Sequence, residues 1–299
     1  MAILIVGSVA LDTIEANNRK IKDALGGSAI YSAMSASYFT KTSVVAVVGN
    51  DFPCKYIHLL NHHKIDTSGL AVSAGKTFRW MGKYSCNLNQ AKTINTKLNV
   101  FLDFAPVLST EHKNSKYLFL ANVDPDIQNN VLNLVKKPKL VVLDTMNLWI
   151  STKLSKLKSV LKRVDLLLIN EDEAKQLSKE NNIIKSAKVI TKMGPEILVI
   201  KRGEFGAMLF HKDNIFSIPS YPLESVEDTT GAGDTFAGGF IGYLSSCNKL
   251  TFETLKKAMV YGSIMASFNV ESFSLERLSS LTKKEITNRF KMFKKFTEF

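Results

Sequence analysis

The sequence contains few of the features that anchor a chain in a membrane or mark it for export. No run of eighteen apolar residues occurs among its 299 residues, so no transmembrane helix is predicted. The opening stretch MAILIVGSVALD has neither the basic flank nor the cleavage pattern of a signal peptide. We therefore expect a soluble cytoplasmic protein.

Cysteine is scarce as well. Cys54, Cys86 and Cys247 are odd in number and share no CxxC or metal-ligand spacing. This pattern disfavours a disulfide framework and a structural zinc site. We expect three reduced thiols, and we interpret the five histidines, which show no paired spacing with a nucleophile or metal ligand, as structural.

Basic residues outnumber acidic ones by 39 to 27, which gives a net charge of +12. Such an excess suits a polyanionic partner such as nucleic acid. The lysines are scattered from Lys20 to Lys295, however, and no recognised nucleic-acid-binding motif occurs. We expect no nucleic-acid or membrane partner, because a small phosphorylated substrate would be attracted by the same positive field.

Short apolar runs rich in valine and isoleucine alternate with helical patterns along the chain. Runs of this kind are typical of strands buried on both faces of a parallel sheet. They are ILIVG (3–7), SVVAVVG (43–49), YLFLANV (117–123), LVVLDT (140–145), DLLLIN (165–170) and EILVIKRG (196–203). The helix candidates between them begin at Ser28, Asp126, Leu154, Glu171 and Ser186. The alternation predicts a single α/β layered domain over residues 1–299.

Two segments depart from this alternation. Residues 14–24 lack long helical periodicity, and Phe78, Trp80 and Tyr84 alternate as in a strand. We expect a small β-sheet built from segments at about 12–25 and 70–105. Beside the mouth of an α/β site, such a sheet would act as a lid that excludes water. A surface hairpin that covers core is the alternative.

The most informative stretch is DTTGAGDTFAGGF, residues 228–240. It leads from an extended segment into a helix, so that Gly231, Ala232 and Gly233 lie at the helix N-terminus. Unpaired N–H groups and the helix dipole attract anions there, and small residues let a phosphate approach. Asp234 would repel that phosphate, but it suits a hydroxyl that must lose its proton. Ordinary helix capping is the alternative.

The string DTTGAGD followed by FAGGF closely resembles the signature of the ribokinase or PfkB family of carbohydrate and nucleoside kinases. The resemblance implies a ribokinase-like three-layer fold, with a mainly parallel central sheet flanked by helices and a small β-sheet lid. It also implies ATP, Mg²⁺ and transfer of the γ-phosphate to a hydroxyl of a small sugar-like substrate. Asp234 would be the general base, with Gly231, Ala232 and Gly233 forming the anion hole.

Other positions that resemble family motifs are implied to bind the acceptor. GSVALD is similar to a first strand that ends in a substrate-binding aspartate, here Asp12. GGSAIYSA resembles the family's GGxxxNxA segment and places Gly26 and Gly27 next to the sugar. The family's asparagine is replaced by Tyr31, whose ring would stack or fill space instead.

Further resemblances imply a nucleotide site. Asn170 and Glu173 form the family's NxxE pattern, with Glu173 organising Mg²⁺; an acidic helix start is the alternative for Glu173. EILVIKRGEFGAMLF resembles a nucleotide segment in which Gly203 and Gly206 turn under ATP. Lys201 stands where many members have threonine, and reaches a phosphate or is a solvated lysine.

Some residues and functions stay open. Asp144 and Asn147, at another strand end, are secondary substrate or phosphate candidates, with turn capping as an equal alternative. A monovalent cation near Asp228 and Thr230 and a homodimer through the lid also stay open. Aromatic side chains at Tyr31, Phe78, Trp80 and Tyr84 keep a nucleoside or modified-ribose kinase as an alternative. A non-catalytic sugar or nucleotide sensor is the alternative from another class.

Overall fold

A nine-stranded sheet and a separate four-stranded sheet organise the chain. The computed structural model describes residues 2–84, 91–247 and 249–298. The strands, numbered in chain order, are β1 (Ala2–Val6), β2 (Ala10–Ala16), β3 (Arg19–Gly26), β4 (Lys41–Gly49), β5 (Ile65–Ser73), β6 (Phe78–Tyr84), β7 (Ala91–Lys97), β8 (Tyr117–Leu120), β9 (Leu140–Asp144), β10 (Leu166–Asn170), β11 (Ile197–Lys201), β12 (Ala207–His211) and β13 (Asn214–Ile218). The predicted combination of a large and a small sheet is confirmed.

Helices cover both faces of the large sheet. They are α1 (Ser28–Ser37), α2 (Cys54–His62), α3 (Thr110–Lys113), α4 (Pro125–Leu134), α5 (Asn147–Thr152), α6 (Leu154–Leu161), α7 (Glu171–Ser178), α8 (Ile183–Thr191), α9 (Ala232–Cys247), α10 (Phe252–Asn269), α11 (Glu276–Ser279) and α12 (Lys283–Thr297). Short 3₁₀ turns span Asn99–Asp103 and Gly203–Phe205. Helix α8 begins three residues before the predicted Ser186, because the Asn182 side chain caps it by accepting the Lys185 N–H at 3.1 Å.

The strand order of the large sheet is β13-β12-β11-β10-β9-β8-β1-β4-β5. Every pair from β11 to β5 is parallel, and β12 and β13 are antiparallel additions at one edge. Side chains alternate between two cores: Ile3 and Ile5 face the layer of α1, α9, α10 and α12, whereas Leu4 and Val6 face α4 to α8. The sheet is thus buried on both faces, as its valine- and isoleucine-rich strands predict.

The small sheet has the order β3-β2-β6-β7. Strands β2 and β3 include the predicted segment 12–25, and β6 and β7 lie within 70–105. Residues 70–73 differ from the prediction, because they end β5 of the large sheet. Residues 85–90, including Cys86, lie outside the described residues.

Two further expectations concern thiols and membrane spans. Cys54 and Cys247 are free, as expected for reduced thiols. Across the described ranges, no helix combines the length and apolar character needed to cross a membrane.

Glycines bring α9 close to α1, and this contact places the beginning of α9. A Cβ added at Gly238 would lie 2.2 Å from the Ser32 carbonyl oxygen, and one at Gly242 would lie 3.0 Å from the Ala36 Cα. The Ser32 hydroxyl also donates to the Asp234 carbonyl at 3.0 Å, and Ser35 donates to that of Thr235 at 2.8 Å. Helix α9 therefore packs directly against the backbone of α1 rather than against side chains that could move aside.

Gly238→Ala tests this contact. In an open helix the change stabilises by about 0.5–1 kcal/mol, but here overpacking against Ser32 should lower the free energy of unfolding by about 1–3 kcal/mol. Urea unfolding measures the sign. Ser246→Ala, at an exposed position of the same helix, should leave stability nearly unchanged. A Gly238→Ala variant as stable as the parent would contradict the close packing.

Candidate active site

Polar residues collect where the parallel strands of the large sheet end. Asp144, Asn170 and Lys201 are the last residues of β9, β10 and β11. Strand β1 lies between β4 and β8, so the strand order runs to one side of β1 with β4 and to the other side with β8. Open α/β sheets bind ligands at such a switch point, beyond the carboxyl ends of the strands.

The first turn of α9 leaves several backbone donors unpaired. Among the described residues, the N–H groups of Gly231, Gly233 and Asp234 find no hydrogen-bond acceptor. Ala232 departs from the expectation, because its N–H donates to the Thr229 carbonyl at 3.1 Å and closes a turn. The free donors are thus those of Gly231, Gly233 and Asp234, at the positive end of a sixteen-residue helix.

The loop before α9 is fixed by buried hydrogen bonds. The Asp228 carboxylate accepts the N–H of Thr230 at 2.8 Å and that of Ser274 at 3.4 Å. Asn269 donates to the Thr230 carbonyl at 2.9 Å and accepts the Thr235 hydroxyl at 3.2 Å. Because its neighbours hold the loop, the unpaired N–H groups are oriented before any ligand arrives.

The Tyr31 ring packs against the same loop at Gly231. Gly231 has a φ of +73°, and a Cβ there would lie 2.4 Å from the Tyr31 ring. Tyr31 is 1% exposed, and its hydroxyl has no hydrogen-bond partner among the described residues. Burial, then the charges of Asp12 and Asp228, raise its pKa well above the ordinary tyrosine value. The ring fills space under the loop, which is one of the two roles considered for it.

Asp234 lies in the first turn of α9, and its side chain is partly exposed. Burial and the negative charge of Asp144 raise the pKa of Asp234 to about 7, while Lys201 opposes that rise. A carboxyl group with this pKa exchanges protons near neutral pH, as a general base must. Glycine at position 233 keeps the neighbouring space open.

Asp12 and the two glycines at residues 26–27 lie together, as the sequence predicts. A Cβ on Gly26 would lie 1.9 Å from the Asp12 Oδ2, so Gly26 makes room for that carboxyl group. Gly27 has a φ of +98°, and a Cβ there would lie 2.4 Å from the Ser8 carbonyl oxygen. Burial, then Asp228 and Asp234, raise the pKa of Asp12 to about 8.

Asn170 and Glu173 bind each other in a reciprocal helix cap. The Asn170 side chain accepts the Glu173 N–H at 2.8 Å, and Glu173 Oε2 accepts the Asn170 N–H at 3.0 Å. Burial, then Asp144, raise the pKa of Glu173 to about 7. No group of three or more metal-ligating side chains occurs in the part of the chain that is described. The second Glu173 carboxylate oxygen takes no part in the cap, and carboxylate oxygen is a ligand that Mg²⁺ accepts.

Lys201 forms a buried ion pair that local spacing does not reveal. Its Nζ lies 2.9 Å from Asp144 Oδ2, and the two side chains are 15% and 5% exposed. Burial opposes the charge, but Asp144 and Glu173 raise the pKa of Lys201 above its ordinary value. Asp144 is thus part of the site, whereas Asn147 is an exposed residue at the start of α5.

The glycines that follow Lys201 form the expected turn. Gly203 has a φ of +56° and begins a 3₁₀ turn. Gly206 has a φ of +86°, and a Cβ there would lie 2.0 Å from the Ile218 carbonyl oxygen. The turn is closed by a hydrogen bond from the Arg202 N–H to the Gly206 carbonyl at 2.8 Å.

The small sheet touches the loop before α9. The Tyr84 hydroxyl forms a 2.9 Å hydrogen bond with the Thr230 hydroxyl, and Asn17 donates to the Val226 carbonyl at 3.0 Å. Tyr84 also packs with Ile14 and Phe273 in a small apolar cluster. Sequence alternation identified Tyr84 as a strand residue but gave no sign of its partner 146 residues away.

Comparisons with known proteins agree with this architecture. The model of the pfkB family of carbohydrate kinases matches residues 3–281. A cytidine kinase of Thermococcus kodakarensis is 26% identical over 270 residues, which cover 86% of this chain and 95% of that protein.

Solved structures show the same fold. A nucleoside kinase of Methanocaldococcus jannaschii superposes with a TM-score of 0.75 at 20% identity, over 97% of this chain and 98% of that one. A protein described as a ribokinase II of E. coli, in complex with ATP and Mg²⁺, superposes with a TM-score of 0.81 at 18% identity, over 97% and 99% of the two chains. The chain is an ATP-dependent phosphotransferase and belongs to the pfkB family of carbohydrate kinases.

Proposed function

We propose that this kinase transfers the γ-phosphate of ATP to a hydroxyl of a small sugar-like acceptor, with Asp234 as the general base. One observation carries the proposal: a partly exposed carboxyl group with a pKa of about 7 adjoins unpaired N–H groups of the first turn of α9. The base and the anion donors then belong to a single rigid element, whose donors need no reorganisation as charge develops.

The step conserves atoms and charge as follows. The acceptor oxygen forms a bond to phosphorus while the bond from phosphorus to the bridging oxygen breaks, and that electron pair leaves with ADP. The acceptor proton goes to Asp234. The N–H groups of Gly231 and Gly233 donate to the oxygens of the transferring phosphoryl group, while that of Ala232 stays in its turn.

The other site residues have supporting roles in this proposal. Gly203 and Gly206 hold the turn under the nucleotide. Glu173, positioned by its cap with Asn170, would order the water of a hydrated Mg²⁺ through the carboxylate oxygen that the cap does not use. When bound, Mg²⁺ neutralises phosphate charge. Asp12 binds an acceptor hydroxyl above the glycines at 26–27, while the small sheet closes over it as a lid.

A nucleoside acceptor is the second candidate. The similar protein from Thermococcus kodakarensis is named a cytidine kinase, and the lid offers an aromatic face next to Asp12. Trp80 pairs with Asp12 across β2 and β6. Its half-buried ring covers Gly82, where a Cβ would lie 2.0 Å from it. A flat base could stack there, whereas a free hexose has no comparable group.

Several expectations stay predictions: the cytoplasmic location, a homodimer through the lid, and a monovalent cation near Asp228. The Asp228 carboxylate already holds its own loop. A non-catalytic sensor would bind nucleotide without turnover of any acceptor.

Asp234→Asn should lower kcat by about two to four powers of ten, because the acceptor proton loses its base. Binding of ATP and acceptor should change little. Steady-state kinetics and calorimetric titration measure the two effects, with Asp213→Asn, at an exposed turn, as the matched control. Turnover near that of the parent would remove Asp234 from this role.

The same variant should not unfold. The pKa of Asp234 rises from 3.8 to about 7 on folding, so the folded state holds a proton that the unfolded state loses. The free energy of unfolding therefore falls as pH rises from about 3.8 to about 7, because Asp234 ionises less readily in the folded state. The full loss is present above pH 7. Asparagine removes that cost, and Tm at pH 8 should equal or exceed that of the parent. A lower Tm would show that the carboxylate is structural.

The rate should also depend on pH. Protonated Asp234 cannot accept the acceptor proton, so kcat/KM for an acceptor without ionisable groups should fall about tenfold per pH unit below pH 7. Initial rates with saturating nucleotide and excess Mg²⁺ measure this limb. An acid limb near pH 4, the range of an ordinary aspartate, would contradict the raised pKa.

The acceptor can be identified with a panel of radiolabelled-ATP assays. If the acceptor is a nucleoside, cytidine and other nucleosides should be phosphorylated and free hexoses ignored, and Trp80→Leu should raise KM for the nucleoside without a matching loss of kcat. If the acceptor is a free sugar, hexoses or ribose should react and Trp80→Leu should have little effect. Nucleotide binding without turnover of any acceptor would favour the sensor.

A further inference from the structure

Lys201 brings a positive charge to the first turn of α9. Its Nζ lies 3.2 Å from the position that a Cβ on Gly233 would occupy. The ammonium group is therefore within direct reach of any anion that binds the unpaired Gly233 N–H. A side chain at position 233 would crowd this space, so glycine leaves the region between the Lys201 ammonium group and the Gly233 amide open.

The surroundings of Lys201 are acidic. Asp144, Glu173 and Asp234 all act on its charge, and the ammonium group is mostly buried. A buried ion pair is a weak means of stabilising a fold, because desolvation offsets most of the attraction. A triphosphate that enters this acidic surrounding needs a cation to offset the repulsion, and Lys201 is placed to supply it.

The geometry leaves Lys201 able to bind a ligand without releasing its partner. An ammonium group has three donors, and within the described residues its hydrogen bond is to Asp144 at 2.9 Å. Asp144 is itself fixed, since its other oxygen accepts the Thr145 N–H at 2.7 Å. Asp144 therefore orients the ammonium group while two donors stay available.

We propose that Lys201 is a catalytic residue that donates to the γ-phosphoryl oxygens beside Gly233, and that Asp144 is its positioning residue. This role rests on the proposed function, which puts the transferring phosphoryl group at the first turn of α9. Because ADP lacks the γ-phosphoryl group, Lys201 then makes the site bind a nucleoside triphosphate more tightly than a diphosphate.

The test compares two nucleotides by calorimetric titration, with Mg²⁺ and without acceptor, so that no turnover is involved. The parent protein should bind the non-hydrolysable ATP analogue AMP-PNP more tightly than ADP. Lys201→Met should weaken AMP-PNP binding by about ten- to a hundredfold, the range for hydrogen bonds to charged groups, and ADP binding by less than threefold. Lys188→Met, at an exposed position of α8, should change neither affinity.

A second variant separates binding from folding. Lys201→Met leaves Asp144 buried without a partner, which destabilises proteins. Lys201→Met combined with Asp144→Asn removes both charges with little change in volume, so it should fold with near-parental Tm and still lose the preference for AMP-PNP. Asp144→Asn alone should weaken AMP-PNP binding less than Lys201→Met does, because the cation remains but is less well oriented.

The outcomes are distinct. If the double variant keeps the parental preference for AMP-PNP over ADP, or if both nucleotides weaken equally, Lys201 and Asp144 form only a structural ion pair and the inference is wrong. A parent protein that binds neither nucleotide would overturn the proposed function, and this inference with it. Loss of turnover in Asp234→Asn with an intact Lys201 effect would support both.

Discussion

Unpaired backbone N–H groups at the start of α9, next to carboxyl groups, are the constraint on which the site depends. The pKa of Asp12 rises to about 8, and the pKa values of Asp234 and Glu173, whose side chains are partly exposed, rise to about 7, chiefly because desolvation disfavours the charged form. Ionising carboxyl groups with raised pKa values lowers the free energy of unfolding, so these acids do not serve stability. In the proposed function, the donors bind the phosphoryl group, Asp234 accepts a proton and Glu173 orders a hydrated cation.

The rest of the structure holds this arrangement in place. Helix α1 supports α9 through the glycine contacts, Tyr31 fills the space under Gly231, and Asp228 fixes the loop from inside. Tyr84 then joins the small sheet to that loop through Thr230. Thr230 directly precedes Gly231, so the small sheet contacts the loop one residue before the unpaired donors.

Sequence reasoning predicted the parts of the fold that depend on local pattern. The parallel strands, the small sheet and the position of the signature at a helix N-terminus follow from periodicity, glycine placement and family resemblance. Pairings across the fold could not be predicted in this way. The bond between Lys201 and Asp144 joins residues 57 positions apart, and the Ala232 N–H is withdrawn by a turn whose geometry no motif specifies. Gly26 likewise makes room for Asp12 itself, which depends on the register of β2 and β3.

The most direct measurement is nuclear magnetic resonance of the backbone amides of residues 231–234 in the presence of MgADP, acceptor and aluminium fluoride, which mimics a transferring phosphoryl group. If these amides bind the phosphoryl group, Gly231 and Gly233 should show large downfield proton shifts, and Ala232, whose N–H already donates to the Thr229 carbonyl, should show a small one. Unchanged Gly231 and Gly233 amides in a complex that has demonstrably formed would contradict it.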